Sequence, residues 1–160
     1  MTPLIQAENC QTSLDLPAFI ICSTVDDTVS LGKTLAGLLK KGSVVALKGP
    51  LGAGKTYFAK GIAMALGVKD AVTSPSYTIV SEYDGVLQGN SIKIFHIDAY
   101  RLAGNDDFSA IGGEEMIYGK GISIIEWCER VPEFINKGAI RVDIQIMDDE
   151  KRHFHIYLEN

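Results

Sequence analysis

Residues 49–56 read Gly-Pro-Leu-Gly-Ala-Gly-Lys-Thr, a complete G-x-x-x-x-G-K-[ST] phosphate loop. Before it runs Val44-Val45-Ala46-Leu47, a short β-branched apolar strand, and after it a helix-forming stretch from Tyr57 to Leu66 closed by Gly67. A strand, a glycine loop and a helix in that order demand a largely parallel sheet with helices packed on it. The glycines let successive backbone N–H groups point at phosphate oxygens, and the new helix adds its positive dipole end. Lys55 is expected to reach the β and γ oxygens, and Thr56 to ligate Mg²⁺. The loop therefore predicts a nucleoside triphosphate bound with Mg²⁺, held by Gly49, Leu51, Gly52, Ala53, Gly54, Lys55, Thr56 and Tyr57. No guanine-reading N-K-x-D motif follows, which favours ATP over GTP.

The 160 residues suit a single domain, 1–160, with residues 1–14 polar, unpatterned and expected to form a loose arm. Leu16 to Cys22 reads as a strand whose Pro17 points to an edge position. Ser23 or Thr24 caps a helix with Asp26 and Asp27 in its first turn, ending at Lys40-Lys41-Gly42. Thr78–Tyr83 and Ile92–Ile97 read as an antiparallel hairpin joined through 84–90. Asn105–Tyr118 reads as one or two short helices broken at Gly112-Gly113, and Val131–Asn136 as a short helix led by Pro132. Ile122–Ile125, Ala139–Ile146 and His153–Leu158 read as strands. The expected fold is a three-layer α/β sandwich of the phosphate-loop NTPase class. Its sheet is mixed but mostly parallel, with an antiparallel hairpin.

Net charge is −5 and the basic residues are scattered, with Lys40-Lys41 and Lys151-Arg152 the two doublets, which disfavours tight nucleic-acid binding by this chain alone. Three widely spaced cysteines with no C-x-x-C fit a reducing compartment. No apolar run approaches eighteen residues and the first ten carry no basic leader, so a cytoplasmic protein without a membrane span is expected.

A phosphate loop needs an acidic partner for magnesium, usually where an apolar strand ends. Ile92–Ile97 delivers Asp98 and Gly121–Ile125 delivers Glu126. Asp98 is assigned to the magnesium shell through water. Glu126 is assigned to the attacking water, with metal contact as its alternative. Thr73, Ser74 and Ser76 sit in a loop whose hydroxyls can sense a γ-phosphate, or simply turn at Pro75. Arg101 reads as a contact to a phosphate or to a partner protein's carboxylate, or as an exposed partner of Glu82, Asp106 or Asp107. Trp127 reads as a cover over the site, as facing a partner surface or as core, and Arg130 as a partner of Glu126 or the nucleotide or as a solvated helix-end residue. His153 and His155 share a strand face without a third ligand nearby. His96 reads as a hydrogen-bonded strand residue.

The ordered set Gly49–Thr56, Thr73-Ser-Pro-Ser-Tyr77, His96-Ile-Asp-Ala-Tyr-Arg-Leu102 and Ile125-Glu-Trp-Cys-Glu-Arg130 resembles the bacterial TsaE (YjeE) family. The resemblance runs from about Thr24 to Leu158. It implies an ATPase, using ATP and Mg²⁺, of tRNA threonylcarbamoyladenosine synthesis. It also implies a partner heterodimer of TsaB and TsaD type that carries the transferase site, with tRNA reached through that complex. By motif it implies Lys55 and Thr56 as phosphate and metal contacts and Thr73 to Ser76 as a nucleotide-responsive loop. Asp98 and Glu126 become site carboxylates, and Trp127 and Arg130 a signature tail. Ser76 stands where Thr is usual, Ala99 where Leu is usual and Cys128 where Pro is common; no chemical group is lost. Slow intrinsic turnover is expected, since no arginine finger is evident. The competing readings are a small-molecule kinase, which needs an Arg-bearing lid that four dispersed Arg residues do not suggest, and a nucleotide switch that does not hydrolyse.

Overall fold

The structure is a computed structural model that describes residues 4–6 (backbone only), 13–75 and 78–160. Ser76 and Tyr77 lie outside the described residues.

Apolar-rich segments build eight strands: β1 (Leu4–Gln6), β2 (Ala18–Cys22), β3 (Val44–Lys48), β4 (Val80–Leu87), β5 (Asn90–Asp98), β6 (Ile122–Glu126), β7 (Ile140–Ile146) and β8 (Arg152–Leu158). They form one mixed sheet in the order β1-β2-β8-β7-β3-β6-β5-β4. The centre, β7-β3-β6-β5, is parallel. β4 and β8 run against their neighbours, β8 being inserted between β2 and β7. β6 is buried at every position, as a central parallel strand covered on both faces must be.

Two helices cover one face, α1 (Val25–Ala36) and α2 (Lys55–Ala65). Thr24 caps α1 through a reciprocal box, its hydroxyl accepting from the Asp27 amide while the Asp27 carboxylate accepts from the Thr24 amide. α1 stops at Ala36 with Gly37 as its cap, short of the expected Lys40. α1 and α2 cross at Gly32 and Gly61. A methyl on Gly61 would collide with the Val29 carbonyl, and one on Gly32 with the Phe58 carbonyl, so the two backbones touch where a side chain would normally stand. Val45, Leu47, Ile94, Ile122, Ile124, Val142 and Phe154 pack beneath them. The other face of β3, β5 and β6 is covered by α3 (Asn105–Ala110), α4 (Gly113–Ile117) and two 3₁₀ turns, Cys128–Arg130 and Pro132–Phe134. Phe108, Phe134, Ile97 and Ile125 meet in this second core.

Three expectations change. Leu4–Gln6 is not loose but pairs in parallel with Phe19–Ile21. β2 is consequently an interior strand despite Pro17. The proline precedes Ala18, so its missing N–H falls outside the ladder. The β4–β5 hairpin is tighter than expected, with a two-residue turn at Gln88-Gly89, both at positive φ. No helix among the described residues is long and apolar enough to cross a membrane.

Candidate functional site: a triphosphate cleft at the ends of the central strands

The cleft lies where β3 and β6 end and α1 and α2 begin, a cavity of about 840 Å³. The loop turns on Gly52 and Gly54, with φ of 80° and 99°, which a Cβ would disfavour. Lys55 opens α2 and is buried. Its ammonium donates to the loop's own carbonyls, 2.6 Å to Gly49 O and 2.9 Å to Pro50 O. Burial holds its pKa below the usual lysine value, opposed by Glu126, Glu129 and Asp98. Leu51, by contrast, stands at the loop's tip 87% exposed.

Two carboxylates arrive on adjacent strand ends, because Asp98 of β5 is in register with Glu126 of β6. Their surroundings differ. Glu126 is 3% exposed, and the Thr56 hydroxyl lies 3.1 and 3.2 Å from its two oxygens. His96 Nε2 sits 2.6 Å from Glu126 Oε2. Asp98 is half-buried, accepting from the Tyr100 amide at 3.0 Å and lying 3.5 Å from the Ser74 hydroxyl.

Trp127 leaves β6 with φ 59°, a left-handed conformation uncommon for a bulky residue. That turn brings its ring over Lys55, whose ammonium lies 4.2 Å from the ring centroid. Tyr100 packs on Trp127 at 4.8 Å, and Arg130 caps Tyr100 at 5.6 Å. Trp127 is thus both a wall of the cleft and an edge of the second core.

Of the residues expected at the nucleotide, Leu51, Gly52, Ala53, Gly54, Lys55, Thr56, Tyr57, Asp98, Glu126 and Trp127 line the cleft. Gly49 is buried behind it and meets it through Lys55. Thr73 is exposed and off the cleft wall, where Ser74 takes its place. Arg130 is drawn away by the Tyr100 ring and does not line the cleft. Arg101 is exposed and makes no hydrogen bond or ion pair with a described residue. His153 and His155 lie on the sheet away from the cleft, His155 stacked between Phe19 and Tyr157.

Sequence reasoning missed the opposite wall. Thr24, Val25 and Thr28 at the start of α1 face Ile146, Glu150 and Arg152 of the β7–β8 hairpin. Arg152 donates to Gly52 O at 3.1 Å and to the Glu150 carbonyl, tying the hairpin to the phosphate loop. Apart from the Thr24 cap, no local signal marks these residues; the link to Gly52 spans 100 positions and exists because β8 returns between β2 and β7.

With this geometry in view, the match to a family model is decisive. The model described as "Threonylcarbamoyl adenosine biosynthesis protein TsaE" matches residues 22–154. The chain belongs to the TsaE family. It is 40% identical over 147 residues to the tRNA threonylcarbamoyladenosine biosynthesis protein TsaE of Aquifex aeolicus, covering 90% of this chain and 98% of that one. It is 38% identical over 136 residues to the protein of the same name from Treponema pallidum, covering 85% and 97%. The crystal structure of Bacillus subtilus YdiB superposes with a TM-score of 0.71 at 30% identity, covering 89% of this chain and 86% of that one. The TsaE match takes in the phosphate loop, both carboxylates and Trp127, and ends at Phe154, so the missed wall from Thr24 to Arg152 lies within it.

Proposed function

We propose that this chain is the Mg²⁺-dependent ATPase that serves tRNA threonylcarbamoyladenosine biosynthesis in the cytoplasm. On this reading it acts with partners of TsaB and TsaD type that carry the transferase site, and meets tRNA through them. The observation that carries the chemistry is the hydroxyl–carboxylate pair Thr56–Glu126, set beside a buried Lys55 at the mouth of a phosphate loop. Hard oxygen donors of this kind suit magnesium. Among the described residues no group of three His, Cys, Asp or Glu side chains comes together. That fits an ion held chiefly by phosphates and water, as nucleotide magnesium is, better than a cage of protein ligands.

The contacts favour exchanging the carboxylate roles first expected. Glu126, buried and bonded to Thr56, would share the cation with that hydroxyl. Asp98, nearer solvent and beside Ser74, would orient the attacking water. Magnesium, when bound, neutralises charge on the β and γ oxygens. The rest falls to the chain itself. The loop amides and Lys55 hold the phosphates and the charge that develops on them. Trp127 walls Lys55 from solvent, which strengthens its field. Among the described residues Arg152 is the arginine that lines the cleft, and it is engaged on Gly52. Turnover by the chain alone is therefore expected to be slow and to rise with partners. Phosphate release by the purified chain, alone and with the partner heterodimer and tRNA, tests this. A marked rise on assembly is expected, and equal rates would overturn the partner-driven cycle.

A further inference from the structure

On its face of β5, His96 stands between the apolar Ile94 and the cleft carboxylate Asp98, with Ser81 as its partner on β4. Ile92 and Ile94 point the same way into the core beneath α2, and Ile124 pairs with it on β6. An isoleucine at 96 would continue this pattern. The chain instead buries an imidazole to 1% exposure, with Nδ1 finding no partner among the described residues. A buried polar atom without a partner destabilises the fold. What the ring gains is one short contact, Nε2 to Glu126 Oε2 at 2.6 Å. A carboxylate can only accept, so the ring nitrogen donates and Nδ1 is left bare. Glu126 then has two donors, the Thr56 hydroxyl from α2 and the His96 ring from β5.

We propose that His96 is a positioning residue for the Mg²⁺–triphosphate complex, its Nε2–H fixing the Glu126 carboxylate so that this group and the Thr56 hydroxyl meet the cation in one orientation. The inference rests on the assignment of Glu126 to the cation made above. Without the ring, Glu126 is anchored only through Thr56, the very group it must work with, and can rotate on its own side-chain torsions. A hydrogen-bond donor behind a metal-binding carboxylate is commonly worth a further 10–100-fold in metal affinity.

The test is calorimetric titration of the full chain with a non-hydrolysable ATP analogue, in EDTA and across a Mg²⁺ series, for wild type, His96→Gln, His96→Asn and His96→Leu. Gln places an amide N–H near the position of Nε2; Asn is polar but too short to reach Glu126. The Mg²⁺ concentration giving half of the metal-dependent gain in affinity should rise about 10–100-fold in the Leu and Asn variants. It should stay within about threefold of wild type in the Gln variant, and affinity in EDTA should be unchanged in all of them. A wild-type midpoint retained by Asn, or a Gln variant as impaired as Asn, overturns the inference, and this pair decides even where the Leu variant does not fold. A wild-type protein whose nucleotide affinity ignores Mg²⁺ would instead sink the ATPase reading itself.

Discussion

The two walls of the cleft are built on opposite plans. On the Glu126 side, charged and polar groups are buried and mutually bonded: Lys55 on loop carbonyls and under Trp127, Glu126 between Thr56 and His96. On the Arg152 side, open apolar side chains, Val25 at 51% and Ile146 at 40% exposed, stand among threonine hydroxyls and the charged Glu150 and Arg152. The first wall holds its charges buried and in mutual contact, whereas the second leaves most of its mixed side chains open to solvent. Preorganised dipoles in a dry setting bind a polyanion strongly, whereas solvent-screened groups add modest affinity.

Lys55→Ala attacks the charged wall directly. It should weaken triphosphate binding by about 3 kcal/mol or more, roughly 100-fold, since a charge-assisted donor is lost. Calorimetry with an ATP analogue checks this; a loss under threefold would mean the phosphates are held elsewhere. Gly61→Ala strikes what joins the walls, forcing a methyl against the Val29 carbonyl. It should cost roughly 1–3 kcal/mol of stability in chemical denaturation, with affinity falling alongside.

Cys128 sharpens the contrast from beneath the charged wall. Burial pushes its thiol from 9.0 up to about 11. The folded state holds this proton more tightly than the unfolded chain. The contribution is therefore complete below pH 9.0 and is lost as pH rises toward 11, at most about 2–3 kcal/mol. Denaturation of wild type and Cys128→Ala at pH 8 and 10.5 measures it; the wild type should lose stability relative to the variant. Smallest is Arg152→Ala on the open wall, expected to cost about 1 kcal/mol in nucleotide affinity, near fivefold. An effect equal to that of Lys55→Ala would erase the distinction between the walls.

The same division governs what the sequence discloses. The charged wall was legible because its groups sit at strand ends and helix starts, where short-range rules apply. Gly49–Thr56, Asp98 and Glu126 could each be placed from ten neighbours, and so could the Thr24 cap. The open wall depends on β8 lying between β2 and β7, a pairing of residues more than a hundred positions apart such as Phe19 with His155. Nothing near Arg152 encodes that. The different surroundings of Asp98 and Glu126 were hidden for a related reason. Both end apolar strands, and the distinction comes from which of them meets Thr56. Leu4–Gln6 escaped notice because three residues carry too little pattern to declare a strand.

The bare contact between Gly32 and Gly61 has a mechanical corollary. With backbone pressed on backbone, neither helix can slide or tilt without the other, so the start of α1 beside Val25 and the start of α2 beside Thr56 travel as a single block. One jaw of this enzyme is thus welded shut at its root. Across the gap, the β7–β8 hairpin at 147–151 is tied to the loop end of that block by the Arg152 clasp on Gly52.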